Sequence, residues 1–335
     1  MSTLELARSG VSVGMEKDLA FDPLFWRHAE VIGDEVYRFK PDILHMTGPS
    51  ELGIFAAYFS WKLNIPLAAS WHTNIHQYAA RRLEWLTKMM PEALGQAASS
   101  GIEGGTLDIT GRFYSLAKVL FAPNPDLCAM LNGATGRPCE LMQRGVETDL
   151  FTPAHRTRTN STPFVLGFVG RLSIEKNVAL LPVIQRELTA AGLDVQFLII
   201  GQGAEEEAMR RELPTAEFAG VLRGQDLARA YANMDLFVFP SHTDTFGNVV
   251  LEALSSGVPA IVTPGGGPKY IVQDGKTGRV VDDAAFAGAI AEVLQNRERH
   301  AAMRRTARAY ALSCSWDAVF DRVYAAYAPV LNPIS

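Results

Sequence analysis

Four apolar residues, Leu236, Phe237, Val238 and Phe239, run without a break and are stopped by Pro240 and Ser241. An apolar run bounded in this way reads as a strand. A polar turn follows, and then a helix whose first turn contains Gly247 and Asn248. From Gly247 the apolar positions repeat in steps of three and four through Val250, Leu251 and Leu254. Gly257 and Pro259 end the helix. Two carboxylates bracket the helix start: Asp244 in the turn, and Glu252 after seven intervening residues. Strand–turn–helix units of this kind are the repeating element of α/β folds.

The geometry of such a unit suggests a ligand. The start of a helix offers backbone N–H groups without acceptors and the positive end of the macrodipole, which suits an anion. Gly247 lets a ligand approach the backbone, Asp244 meets whatever hangs from the anion, and Glu252 can accept hydrogen bonds from a diol. Phosphate, sugar and ribose together would make a nucleotide-sugar. The alternative is an ordinary unit with two solvated carboxylates, and spacing alone leaves both open.

At 335 residues with 48% hydrophobic side chains, the chain is long enough for two domains with sizeable cores. Its net charge of −5 carries no basic signal, which argues against a nucleic-acid partner. Cys128, Cys139 and Cys314 show no metal-ligand spacing and fit a reducing compartment. There is no signal-peptide pattern, and no apolar run approaches the roughly 20 residues of a membrane span. The expectation is a cytoplasmic protein, with peripheral contact on the inner face of the membrane left open.

Residues 1–40 lack the buried strand and glycine turn that open a doubly wound domain. Leu4, Leu6, Val11 and Val13 make a weak strand at best, and 23–39 reads as a helix. Alternation then becomes regular: a strand over 43–46, a helix capped by Ser50 and running to Leu63, and a strand over 66–70. His72 follows at the carboxyl end of that strand, the edge where open α/β sheets bind ligands. A lone histidine is equally compatible with a structural role. In 75–95, Arg81, Arg82 and Lys88 are interleaved with aromatic and apolar residues. This reads as a basic amphipathic helix touching an anionic membrane through 77–90, or as a helix packed on its own domain. A strand over 119–122, a helix capped by Asp126, and a strand over 139–143 leading into Arg144-Gly145-Val146-Glu147 complete the first half. The polar stretch 152–163 has a proline near each end and reads as the linker.

In the second half, the apolar strand 164–168 leads into Gly170-Arg171-Leu172 and then Glu175-Lys176-Asn177 at the start of a helix. Strand, glycine turn, cation and helix start make a plausible phosphate cradle, with Arg171 as a fork and Lys176 as a point charge. Solvated surface cations are the plain alternative. A strand over 195–200, a short strand and turn over 218–222 and a strand over 260–262 follow, with helices between them, the one before Leu236 capped by Asp226. The run Gly265-Gly266-Gly267 has a backbone able to lie close to a ligand. An amphipathic helix over 316–327 comes last.

The segments VGRLSIEKN, IIGQGAEEE, LFVFPSHTDTFGNVVLEALSSGVPAIV and GGGPKYIVQDGKTG resemble, in order and spacing, family 4 of the retaining glycosyltransferases. PDILHMTGP, SWHTN and RGVETDLF in the first half are similar to it less tightly. The wording TDTFGNVVLEAL is most similar to GDP-mannose-dependent α-mannosyltransferases. The resemblance implies an α/β protein of GT-B fold, two Rossmann-like domains facing each other across a cleft, with the N-terminal domain shortened at its start. The expected divisions are 1–151 for an acceptor-side domain, 152–163 for the linker, 164–312 for the nucleotide-sugar domain, and 313–335 for a helix crossing back.

It also implies roles. Arg171 and Lys176, after Gly170, would hold the diphosphate and stabilise the departing nucleotide. Phe246, Gly247, Asn248 and Val249 would give backbone contacts, Glu252 would bind the ribose, and Val221 and Leu222 would lie against the base. Asp244 would contact the transferred sugar, and His72 the sugar and the reacting centre. The implied reaction moves a hexose, with mannose favoured, from GDP-mannose or a UDP-hexose to a lipid or glycan acceptor. It uses same-face attack, no metal and no cofactor. Two positions depart from the family pattern: its first carboxylate, usually Glu, is Asp244, and the opening strand with its Gly-Gly loop has no counterpart in 1–40. The alternative reading is therefore a nucleotide-sugar-binding GT-B protein with little or no transferase activity.

Overall fold

In a computed structural model, the structure describes residues 3–6, 9–10, 13–16, 19–71, 108–159 and 162–331. The chain forms two compact units: Met1–Met142 together with Arg322–Ser335, and Gln143–Asp321.

In the first unit, a short antiparallel hairpin, β1 (Val13–Glu16) with β2 (Leu19–Phe21), precedes the main sheet. The region 23–39 divides into a 3₁₀ turn, Phe25–His28, and helix α1 (Ala29–Phe39). The sheet is parallel and four-stranded: β3 (Leu44–Met46), β4 (Leu67–Ser70), β5 (Val119–Ala122) and β6 (Cys139–Leu141), in that order. Helix α2 (Glu51–Leu63) begins at Ser50, whose hydroxyl accepts from the Gly53 N–H at 3.4 Å. Helix α3 (Pro125–Thr135) is capped by Asn124, which accepts from the Leu127 N–H at 2.9 Å, and not by the expected Asp126. Pro125 sets that start, since proline favours the first helical position and lacks the N–H that would go unmet there. Alternation sorts the strands' side chains onto opposite faces. Leu67, Ala69, Leu120 and Ala122 pack with Trp71, Tyr114, Leu127 and Leu131. Ala68, Val119 and Phe121 pack instead with Val323 and Tyr327 near the C-terminus of the chain.

The second unit contains a six-stranded parallel sheet. Its strands are β7 (Phe164–Val169), β8 (Val195–Ile200), β9 (Glu217–Gly220), β10 (Leu236–Phe239), β11 (Ala260–Val262) and β12 (Gly278–Val280). They lie in the order β12-β11-β10-β7-β8-β9. This is the doubly wound arrangement: the chain builds outward from β7 in one direction, then returns to its other side at β10. The connecting helices are α4 (Leu180–Ala190), α5 (Glu206–Glu212), α6 (Gly224–Ala232) and α7 (Asn248–Ser255). They are followed by α8 (Phe286–Gln295), α9 (Arg297–Leu312) and α10 (Trp316–Leu331). Helix α6 begins after Arg223, so Asp226 lies inside its first turn and is not its cap. Every residue of β10 is buried, with Phe239 stacked on Phe168 at 6.0 Å between ring centroids. Helices cover both faces of a parallel sheet, which is why its central strands are apolar without alternation.

The described residues of the polar stretch 152–163 pack within this second unit. Arg156 donates to Asp235 at 2.7 Å, Arg158 pairs with its other oxygen, and the Val165 N–H donates to it at 2.9 Å. His300 and Arg304 bond to the backbone carbonyls of Asp235 and Met234. Burial alone would raise the Asp235 carboxyl, but donation from Val165, Arg158 and Arg156 outweighs it and holds the group below the usual carboxylate range.

Asp235, whose side chain is only 6% exposed, anchors this stretch to the sheet. Asp235→Ala would leave two guanidiniums without their carboxylate. A loss of about 3 kcal/mol is expected, or a melting point lower by roughly 6–12 °C at pH 7. The folded pKa is depressed, so the wild-type contribution is present above the unfolded value of about 3.9 and is lost as pH falls through the folded one. Calorimetry at pH 7 and in strong acid should therefore show the gap between wild type and variant narrowing in acid.

Candidate active site

The sheet order places two strand ends side by side. β7 and β10 are neighbours, with Leu236 opposite Leu166, and their connections leave in opposite directions. Such a switch point opens a crevice beyond the carboxyl ends of the strands. From β7 the chain enters Gly170 and Arg171 and dips to the buried Leu172. It then forms a 3₁₀ turn, Ile174–Lys176, closed by Asn177 in the left-handed region at φ 52°. From β10 it passes through Pro240 and a loop to Gly247, whose φ of 98° is the left-handed conformation that glycine adopts without strain. Asn248 then opens α7. Between these two turns lies a cleft of about 380 Å³. Its lining includes Gly170, Arg171, Lys176, Asp244, Phe246, Gly247, Asn248 and Val249. The first N–H groups of any helix have no acceptor within it, and here they belong to Asn248 and Val249.

Lys176 and Asp244 are paired across the cleft, Nζ lying 2.6 and 2.7 Å from the two carboxylate oxygens. Each side chain is 20% exposed, and Nζ also sits 5.6 Å from the centroid of the Phe239 ring. Arg171 differs: its side chain is 66% exposed and stands 3.8 Å from Glu175, a surface pair worth little. Burial pushes the Glu175 carboxyl up, but backbone donation, Ser173 and the charges of Arg171 and Lys176 bring it below its ordinary value.

The loop carrying Asp244 is held by the glycine run. The Gly267 N–H donates to the Asp244 carbonyl at 2.6 Å. A Cβ on Gly266 would come within 2.7 Å of that carbonyl oxygen, and one on Gly267 within 2.1 Å of the Thr245 carbonyl oxygen. The close approach expected of this run is thus made to the protein's own loop. Thr263 adds a bond from its hydroxyl to the Ser241 carbonyl at 2.8 Å.

Glu252 lies one helical turn beyond Asn248 and does not line the cleft itself. It is half-buried and accepts a hydrogen bond from the Tyr231 hydroxyl at 2.9 Å. Burial pushes its carboxyl above the ordinary range, the Tyr231 bond opposes this, and the charge of Glu147 adds to the rise. Val221 and Leu222 follow β9; Val221 is exposed, and Leu222 packs against the core. Neither lines the cleft. His72 and the segment 77–90 lie outside the described residues. The cleft also contains Arg144, which sequence reasoning did not single out. Its signal was its place between a strand and a Gly-Val-Glu turn, the same strand–cation–glycine grammar that marks Arg171.

Among the described residues, no group of three or more His, Cys, Asp or Glu side chains is arranged to hold a metal ion. Nor is any helix among them long and apolar enough to cross a membrane.

The family model described as "Glycosyl transferases group 1" matches residues 163–296. A GDP-mannose-dependent alpha-mannosyltransferase of Mycolicibacterium smegmatis is 33% identical over 306 residues, covering 88% of this chain and 75% of that protein. Its namesake from Mycobacterium tuberculosis is 31% identical, covering 87% and 74%. Among solved structures, a sucrose-phosphate synthase from Thermosynechococcus elongatus superposes with a TM-score of 0.71 at 19% identity, covering 95% of this chain and 82% of that one. The two Rossmann-like parallel sheets are those of the GT-B fold. The chain belongs to the group 1 glycosyltransferases and transfers a sugar.

Tyr231→Phe removes the one donor to the Glu252 carboxylate among the described residues while keeping the packing of the ring. Stability should fall by about 1.5–3 kcal/mol at neutral pH, as for hydrogen bonds to charged groups. The folded pKa of Glu252 is raised, so the neutral carboxyl is the form that folding favours. The deficit should therefore shrink as pH falls through that value. Melting points of both proteins between pH 8 and pH 4 measure this, and a pH-independent deficit would contradict it.

Proposed function

We propose that this enzyme moves a mannosyl group from GDP-mannose to a hydroxyl of a lipid or glycan acceptor, retains the anomeric configuration and needs no metal. The observation that carries this reading is the convergence of Arg171, Lys176 and the first turn of α7 on one cleft that also contains Asp244. The mannosyltransferase relatives favour mannose and GDP by their names.

Charge development explains the arrangement. Breaking the bond between the anomeric carbon and the phosphate oxygen leaves positive character on the sugar and negative charge on the diphosphate. Lys176 and the N–H groups of Asn248 and Val249 stabilise the negative charge from fixed positions, and the solvent-facing Arg171 adds its guanidinium to them. Asp244 serves the sugar, and it holds Lys176 in the cleft before the donor arrives. Glu252 accepts from the ribose diol, and the turn at Val221 and Leu222 meets the base. The acceptor oxygen bonds to the anomeric carbon on the face the nucleotide leaves. Its proton passes to the departing phosphate oxygen, so no side-chain nucleophile is needed. Phosphate-binding cations and a helix start supply what a metal would supply at the diphosphate, and this supports a metal-independent reaction.

Purified protein should release mannose slowly from GDP-mannose and do so equally in EDTA. Lys176→Ala should reduce turnover by roughly 10²–10³-fold. Glu252→Ala should raise KM more than it lowers kcat, since ribose contacts are made equally in ground and transition states. Proton NMR of the mannoside product reports the anomeric configuration. Undiminished turnover in Lys176→Ala, or an inverted product, would rule the mechanism out.

A further inference from the structure

We propose that Arg144 is a third cationic contact to the donor diphosphate. The inference rests on the nucleoside-diphosphate-sugar reading above, and adds a residue from a separate part of the chain. Arg144 lines the same cleft as Arg171, Lys176 and Asp244, but reaches it from the segment after β6.

The charges in the cleft need it. Its lining holds the cations Arg144, Arg171 and Lys176 and a single carboxylate, Asp244. Asp244 is already taken by Lys176 at 2.6 Å. Among the described residues no carboxylate pairs with Arg144, and Arg171 has only a loose neighbour at 3.8 Å. Two guanidiniums are therefore left over, in a protein whose overall charge is negative. A sugar diphosphate diester carries one ionised oxygen on each phosphate and gains a further charge as the sugar leaves. Guanidinium forks match phosphate oxygens in charge and in spacing. A surplus of this size in one cleft is the complement of such a ligand.

The backbone that carries Arg144 is also fixed. Gly145 lies directly against Trp316, where an added Cβ would fall 2.7 Å from the ring. The next residue, Val146, is buried, and its N–H donates to the Cys314 carbonyl at 3.1 Å. A cation whose next two residues are each held in place presents its side chain from a defined point, as binding a fixed ligand requires.

The test is calorimetric titration of the full chain with GDP and with GDP-mannose, using wild type, Arg144→Ala, Arg144→Lys and Arg171→Ala. Arg144→Ala should weaken GDP binding by about 10- to 100-fold with an unchanged melting point. Arg144→Lys should recover part of the loss, because it keeps the charge but not the fork. A folded Arg144→Ala that binds GDP as wild type does, beside an Arg171→Ala that does not, overturns the assignment and leaves the donor reading standing. A wild-type chain that binds neither ligand, nor UDP and UDP-glucose in the same titration, removes the donor reading and the Arg144 assignment together. If Arg144→Ala melts early, Arg144→Gln, which keeps the stem and removes the charge, decides: GDP binding equal to that of wild type overturns the contact, and a loss of about 10-fold or more supports it.

Discussion

The parallel pairing of β7 with β10 is the constraint on which the second unit depends. Leu236 lies opposite Leu166 and Phe237 opposite Gly167, so two strands distant in sequence end side by side. Their connections must diverge, because helices cover both faces of the sheet. The turn after β7 brings Arg171 and Lys176, and the loop after β10 brings Asp244 and the start of α7. Without that pairing these groups belong to unrelated loops. With it they share one cleft, held by a strand pair that is buried at nearly every position.

Electrostatics then explains why the cleft suits an anion. An arginine with no strong partner carries its charge uncompensated, and the start of a helix leaves N–H groups without acceptors. Solvent can satisfy both, and a phosphate satisfies them together. The Lys176–Asp244 pair is the exception: it is compensated inside the protein, with both carboxylate oxygens engaged. That pair keeps the lysine from wandering on its long stem and sets the carboxylate beside it. The glycine run supports this from behind, since no side chain could be tolerated where Gly266 and Gly267 meet the loop.

Much of this was legible along the chain, for identifiable reasons. Apolar runs such as Leu236–Phe239 carry the strand signal by themselves, and glycine or proline at their ends marks the turns. Helix caps were legible where no competing residue stood nearby, as at Ser50. At Asn124 and Arg223 the start was displaced from the expected aspartates by Pro125 and by the extended backbone before Gly224. The polar stretch 152–163 read as a linker because its composition is that of one. Asp235 is remote in sequence and gathers Arg156 and Arg158 into the second unit instead. Gly265–Gly267 read as a ligand approach because composition shows only that something must come close, and not what.

The sequence by itself determined which charged groups and which helix start stand at the ends of strands. Arg171, Lys176, Asp244 and the Gly247-Asn248 helix start stand at fixed spacings from strands, and local periodicity is a one-dimensional property. Only the tertiary structure decided which cations share a cleft. It paired Lys176 with Asp244, left Arg171 open to solvent, and brought Arg144 from beyond β6 into the same cleft. The physical reason is range. Strand and helix signals act over a few residues, whereas Coulombic partnership depends on distances through space, and sheet order sets those distances.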